Sequence, residues 1–524
     1  MRPSSRFVAA LALGLLLAAP LSAKTLRWAA RGDAQSLDPH AVNEGVTNNI
    51  SLLLYDTLVD RGRDQSLQPA LATSWKLVDD RTWRFSLRQG VKFHDGTPLT
   101  ADDVVFSIER AQQPSSQFAQ YALPLGKPVK LDAHTVELRL AVPNPILLEH
   151  LSSIFILSKA WVQAHRVERV PSFNDREEAY SSTRAMGSGP FMLKQRGVGS
   201  RTVLTKHARW WGPVEGNVDE VVFTPIANDA TRLAALLSGD VDLIQDAPPQ
   251  DLPRLAQDAR VRITSGPENR VIYLGFDVFR DELPGTKGRN PLKDRRVREA
   301  FARAIDADGL KRSIMRGQSL PTGCMTTSAF GCSVAPELEQ RWPLDLDAAQ
   351  RLMAEAGYAE GFDLTLDCPN DRYVNDQSIC VAMVGMLARI KVRLKVDART
   401  KTLYFPKVQN HDTSFYLYGW GGGTLDPQII FDPLLHSVDA KTQKGGDNNG
   451  RIADVELDGI IDAAATEMNT ERRRQLLAQG LRRVREQVWL LPLHRQMLNW
   501  VSRAPVKPVL MASNQLRPQW VRID

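Results

Sequence analysis

Two loops of this chain carry residues whose types suit ligand chemistry. Cys368-Pro369-Asn370-Asp371-Arg372 presents a guanidinium in a turn, and arginine is the side chain that holds a carboxylate or phosphate through two parallel hydrogen bonds. The segment Ser414 to Pro427, SFYLYGWGGGTLDP, ends a continuous apolar run in Trp420, Gly421, Gly422 and Gly423. Bare glycine backbone admits close approach of a ligand, and an indole offers a stacking face. Both loops also have ordinary readings: Arg372 can form a surface ion pair with Asp371 or Asp376, and three glycines after a strand usually make a tight connection. Covalent chemistry has little to stand on. There is no GxSxG elbow, no HExxH, no GxxxxGK[ST] loop and no GxGxxG opening a helix. His94-Asp95 precedes Gly96 and reads as a hairpin turn rather than a catalytic pair. The chain is therefore expected to be no enzyme, with no cofactor and no protein-built metal site.

The elements around these loops read as α/β. Phe362, Leu364, Leu366 and Cys368 alternate with polar residues as a strand. Ile379, Met383, Met386, Leu387 and Ile390 fall at helical spacing, and Val392, Leu394 and Val396 alternate again. In such a β-α-β unit the crevice beyond the carboxyl ends of the strands takes ligands, which is where Arg372 falls. The apolar run before Trp420 reads as a buried strand. Upstream, Asp347 with Gln350 resembles a capping box and Gly357 suits the position after a last turn, while Val297, Phe301, Ala304 and Ile305 mark a helix beginning near Asp294. Near the start, Trp83, Phe85 and Leu87 alternate with Arg84, Ser86 and Arg88 as a half-buried strand, and Thr100-Ala101-Asp102-Asp103 opens a helix with a capping hydroxyl and first-turn acids.

At 524 residues two or three domains are expected. Arg2 and Arg6 precede an apolar run from Phe7 to Ala19, shorter than the roughly 20 residues a bilayer requires, and Leu21-Ser22-Ala23 offers a cleavage site before Lys24. Residues 1–23 thus read as a signal peptide. No cysteine near the cut is available for a lipid anchor, so a free periplasmic protein is expected. The formal charge of +6 drops by the two leader arginines on processing. The remaining bases are interleaved with acids. The run Arg472-Arg473-Arg474, continued by Arg482-Arg483, reads as a solvated helix face and not as a nucleic-acid patch. Four cysteines in an exported chain favour disulfides, and of three possible pairings Cys324 with Cys332 and Cys368 with Cys380 are the local ones. The second would tie the Arg372 loop to the following helix, a restraint worth roughly 3 kcal/mol in the chain-entropy picture.

One block is more telling than these patterns. Leu71 to Arg110, LATSWKLVDDRTWRFSLRQGVKFHDGTPLTADDVVFSIER, closely resembles the signature of the extracytoplasmic solute-binding proteins of peptide-type ABC importers (family 5). Gln35-Ser36-Leu37-Asp38-Pro39-His40, Gly187-Ser188-Gly189-Pro190-Phe191, Trp210-Trp211-Gly212, Gly239-Asp240-Val241-Asp242 and the stretch from Pro291 to Asp306 resemble the family in the same order. The resemblance covers essentially the whole mature chain.

That resemblance implies a two-lobed periplasmic-binding-protein-like fold of class II type, with an extra domain inserted in the first lobe and a two-strand hinge. Carried over, lobe I would be 24–54, 186–270 and 494–524, the inserted domain 55–185 and lobe II 271–493. The hinge would lie near Gly266–Tyr273 and Leu491–Arg495. It implies capture of a peptide or similar small solute, delivery to the membrane permease of an ABC importer, and a monomer without nucleic-acid partners. Peptide-binding relatives use main-chain groups matching Asn43 to Gly45, an aromatic loop matching Tyr418 to Asp426, and a position resembling Arg372 for the terminal carboxylate. Where they place an acid for the peptide's amino group, this chain has Gly423. Either Asp426 serves instead, or the ligand lacks a free amino terminus, such as an opine, a sugar conjugate, a metal chelate or haem.

Overall fold

The structure, a computed structural model, describes residues 23–283, 288–328, 332–421, 424–439, 441–442 and 444–524. Residues 1–22 of the expected signal peptide, and both Gly422 and Gly423, lie outside the described residues.

One long sheet runs through the molecule in the order Arg393–Arg399, Asp363–Pro369, Phe415–Gly421, Val261–Phe276, Leu490–Arg503, Leu243–Ile244, Thr25–Ala30, Glu220–Pro225, Arg201–Lys206, Phe191–Gly197. Two strands span its middle. Val261–Phe276 and Leu490–Arg503 pair antiparallel from Val261 opposite Arg503 to Gly275 opposite Leu490. Their register shifts between Pro267 and Val271 and again between Ile272 and Tyr273, where a proline without an N–H interrupts the ladder. On one side of that irregularity the sheet packs a core containing Trp28, Phe223 and Trp500. On the other side Ile272, Leu274, Phe301, Leu366 and Leu417 form a second core. The α/β, two-lobed fold class expected from the sequence is thus present.

A third core belongs to residues 58–156, where Phe85, Leu87, Val104 and Ile108 pack under a four-stranded antiparallel sheet that includes Ala72–Asp79 and Thr82–Leu87. The helix Ala101–Ala111 starts at Thr100, with the Asp103 carboxylate accepting the Thr100 N–H at 2.9 Å. His94 sits in the turn closed by Phe93 N–H to the Thr97 carbonyl, with its ring against Gly187 and Gly189. The family-like motifs meet at buried charges. Arg110 forms a bidentate pair with Asp38 at 2.6 and 2.9 Å, both fully buried, and also donates to the Val167 carbonyl. Asp56 accepts from Ser188, Trp210 and Trp211, and burial pushes its carboxyl up to about 7.

The β-α-β unit forms as expected, with parallel strands Asp363–Pro369 and Arg393–Arg399 flanking the helix Asp376–Ala388. The helix Arg295–Ala304 is capped by Asp294. Two local expectations change. The helix Leu346–Glu355 is capped by Asp345, not Asp347, because Asp345 is the side chain that reaches the Ala348 N–H. On the helix Thr470–Gln487, Arg472, Arg474 and Arg482 are exposed but Arg473 is buried, so the basic run is a solvated face with one inward member. Cys324–Cys332 and Cys368–Cys380 are disulfide-bonded, with Cα atoms 6.2 and 6.7 Å apart.

Candidate functional site

The Asp363–Pro369 strand delivers its loop into the crevice and the loop is held by its own acids. Asp376 accepts the backbone N–H groups of Arg372 and Tyr373, both at 2.9 Å, and Asp371 accepts the Lys401 N–H at 2.6 Å. The Cys368–Cys380 bridge ties the strand end to the next helix. Both acids that could have paired with Arg372 are thereby committed to backbone. Among the described residues the Arg372 guanidinium has no ion pair; it lies 5.2 Å from the centre of the Tyr373 ring. The Tyr373 hydroxyl accepts the Gly419 N–H at 2.9 Å and donates to the Gly419 carbonyl at 3.2 Å, which locks the loop to the neighbouring strand. Glycine is required at 419, since a Cβ there would stand 2.6 Å from that ring.

The Phe415–Gly421 strand brings Tyr418, Trp420 and Gly421 beside this arginine. Trp420 is half-buried and its indole N–H donates to the Ile429 carbonyl at 3.0 Å, so the ring orientation is fixed. Tyr418 is buried against Phe405 and Tyr273, with ring centres 5.4 and 5.9 Å away. Arg270, Arg372, Tyr373, Tyr418, Trp420 and Gly421 line one open cavity of about 320 Å³. Arg270 differs from Arg372 in being paired, to Glu268 at 3.0 Å, while Glu268 also accepts from Gln496. Asp426 turns away from this cavity's chemistry. Arg473, the inward member of the basic run, grips both of its oxygens at 2.6 and 2.7 Å, and the Gln428 N–H donates to one of them.

Asn43 lines a separate, small cavity together with Tyr121 and Arg517. The Asn43 N–H donates to Gln117 and its side-chain oxygen accepts from Asn48, both at 2.8 Å; its amide faces the Tyr121 hydroxyl. Gly45 is exposed at the start of the helix Gly45–Leu54, whose Val46 and Thr47 N–H groups are taken by the Glu44 carboxylate. The structure brings Arg372, Tyr418, Trp420 and Gly421 together, and sets Asn43 next to Tyr121.

Sequence reasoning missed Arg270, Tyr373, Tyr121, Thr424, Gln428 and Asp447. The last four line a cavity of about 380 Å³ between residues 120–150 and 424–447. No spacing signals them, since Tyr121 belongs to a four-residue helix and Asp447 to a glycine-asparagine turn. A larger groove of about 710 Å³ lies along the sheet edge, but its central Lys407 already pairs with Asp367 and Asp397, and it gathers neither loop. Among the described residues no helix is long and apolar enough to cross a membrane, and no group of three His, Cys, Asp or Glu residues is placed to hold a metal ion.

Comparison with known proteins matches this architecture. The chain is 27% identical to the dipeptide-binding protein of Escherichia coli (strain K12) over 92% of each chain, and 26% identical to heme-binding protein A of Haemophilus influenzae over 90% of this chain and 86% of the other. Its fold matches a dipeptide-binding protein from Pseudoalteromonas sp. SM9913 in complex with Met-Leu, with a TM-score of 0.80, 23% identity, and coverage of 96% and 100%. Residues 66–442 match the sequence profile described as bacterial extracellular solute-binding proteins, family 5 Middle. With two cores joined by two long paired strands, and with that profile covering most of its length, the chain belongs to the family 5 extracellular solute-binding proteins.

Proposed function

We propose that this protein is the exported capture component of an ABC importer, binding a short peptide or similar zwitterion between its lobes and presenting it to the membrane permease. The observation that carries the reading is Arg372: a guanidinium without an ion pair, in a loop fixed by Asp376 and a disulfide, beside the indole of Trp420. Such a group is poised for a carboxylate, and its fixed backbone means little further ordering on binding. The lobe limits given above and a hinge near Gly266–Tyr273 and Leu491–Arg495 belong to the same proposal, supported by the interrupted pairing of the two long strands. Closure about that hinge would follow from ligand contacts made to both sides. In this reading the solute is bound and released without a covalent step.

A second reading has one observation behind it. With Gly423 in place of an acid and Asp426 held by Arg473, the aromatic loop offers no free carboxylate for an amino group. A carboxylate ligand without an ammonium, or a larger solute like that named for the Haemophilus relative, would fit that loop. The experiment is a thermal-shift and tryptophan-fluorescence screen over dipeptides, tripeptides, opines and haem. Peptides should raise the melting temperature and change the emission, and Trp420→Phe should abolish most of the emission change; a rise with opines or haem alone would replace the first reading by the second.

A further inference from the structure

We infer that Gln496 is a positioning residue that couples the hinge to the Arg372 loop, through a buried hydrogen-bond chain from Arg270 and Glu268 in the strand irregularity to the Val374 N–H. This rests on the capture reading above and deepens it by naming the link through which a solute held at Arg372 acts on closure.

The two long strands fall out of step at one place. Pro267 stands opposite Met497 and Val271 opposite Arg495, so Glu268, Asn269 and Arg270 face the single residue Gln496. Extra residues of this kind leave the ladder and bend the strand that carries them. Gln496 fills the gap with its side chain. Its NH₂ donates to Glu268 at 2.8 Å, and its oxygen accepts the Val374 N–H at 3.0 Å. The other Glu268 oxygen accepts from Arg270 at 3.0 Å, and both Glu268 and Gln496 are buried. Val374 belongs to the Arg372 loop. The N–H groups of Arg372 and Tyr373 go to Asp376, and the next N–H in the chain is the one that Gln496 holds from outside. Asn269, beside Glu268, is tied elsewhere: its N–H donates to the Ala512 carbonyl at 2.7 Å and its amide to Gln65 at 3.2 Å. In the proposed lobe limits Ala512 lies in lobe I, Gln65 in the inserted domain and Val374 in lobe II. A change of bend at 268–270 therefore moves one attachment relative to the other.

The order of donors and acceptors makes this chain stiff. Arg270 and Val374 both offer N–H at its ends, so the two side chains between them must supply one carboxylate and one amide. Two amides would set donor against donor, and two carboxylates acceptor against acceptor. Either mismatch is buried, where an unmatched polar group is costly. Neither end can shift without breaking a bond, which is how such networks carry position from one segment to another. The coupling runs both ways: a solute that holds the loop in the setting favoured by one hinge bend favours that bend in return.

The test uses the ligand-free full mature protein near neutral pH and reads backbone hydrogen exchange by mass spectrometry in segments 266–271 and 371–375. The helix Arg295–Ala304 serves as internal reference. Glu268→Gln, Gln496→Glu and the double variant are compared with wild type; in the double variant the acid and the amide change places and every bond of the chain can re-form. Each single variant should speed exchange in both segments by roughly tenfold, and the double variant should return both to within about twofold of wild type. Faster exchange only in the segment that carries the substitution means two local bonds without a link, and overturns the inference. So does a double variant that sums the two single effects. Should a single variant also exchange fast in the reference helix, recovery or failure in the double variant decides. In a second arm the same proteins are mixed with a peptic digest of casein, and peptides retained after gel filtration are read by mass spectrometry. Retention should fall in each single variant and recover in the double; unaltered retention where the loop exchanges fast overturns the link's part in capture. Retention of nothing by wild type overturns peptide capture, while the exchange readings still decide the link between hinge and loop.

Discussion

Removing the guanidinium at Arg372 is the sharpest probe of the carboxylate contact, because the structure separates that side chain from the loop's own support. The backbone N–H of Arg372 is held by Asp376, and neither Asp376 nor Asp371 leans on the guanidinium. Arg372→Ala should accordingly leave the ligand-free melting temperature nearly unchanged, and the affinity loss should report the ligand contact alone. A hydrogen bond to a charged group is worth about 1.5–3 kcal/mol. That predicts roughly 10- to 150-fold weaker binding of a captured peptide acid. Arg372→Lys keeps the charge but not the two-pronged geometry, and should fall between the two. Titration calorimetry with the peptide acid and its C-terminal amide, on wild type and Arg372→Ala, closes a double cycle. The amide should bind wild type about as weakly as the acid binds the variant, and the variant should hardly distinguish them. If Arg372→Ala weakens acid and amide equally, the contact does not involve the carboxylate and the assignment fails.

Arg473→Met should destabilise the protein by about 3 kcal/mol, since it strands a mostly buried Asp426 carboxylate, and Asp426→Asn in the same chain should restore much of that; equal denaturation midpoints for wild type and the single variant would show the pair to be unimportant. Asp56 gives a pH signature. Its folded value of about 7 exceeds the unfolded one, so the folded chain keeps a proton that the unfolded chain releases. The resulting stability is complete below about pH 4 and is lost as pH rises towards 7, an effect of roughly 4 kcal/mol at full extent. The melting-temperature difference between wild type and Asp56→Asn should shrink across pH 4.5 to 7.5, and a constant difference would mean that Asp56 is ionised throughout.

How legible these features were in the sequence depends on whether they repeat. The β-α-β unit and the Asp294-capped helix follow from periodicity and caps, which are local. The Asp345 cap was missed because Asp345 and Asp347 are equally good local candidates, and only the chain path settles which one reaches the Ala348 N–H. Arg473 was hidden inside a run of like residues; its inward turn is dictated by Asp426, 47 positions away. The position of the Arg372 loop was legible because it follows a recognisable strand. Tyr121 and Asp447 were not, because what joins them is a cavity between distant segments, and no spacing rule reaches across it.

This contrast explains why the family motifs are silent about the ligand. Asp38 with Arg110, and Asp56 with Ser188, Trp210 and Trp211, are buried polar clusters in which each member satisfies another. Removing one strands the rest, so such clusters constrain the residue types around them tightly. Around the ligand the logic inverts. In the capture reading proposed above, the Arg372 guanidinium is left without an ion pair among the described residues, and a solute carboxylate would supply the missing partner. A contact completed only by the solute would tie recognition to the shut form, which is how a binding protein can keep that form for the loaded state.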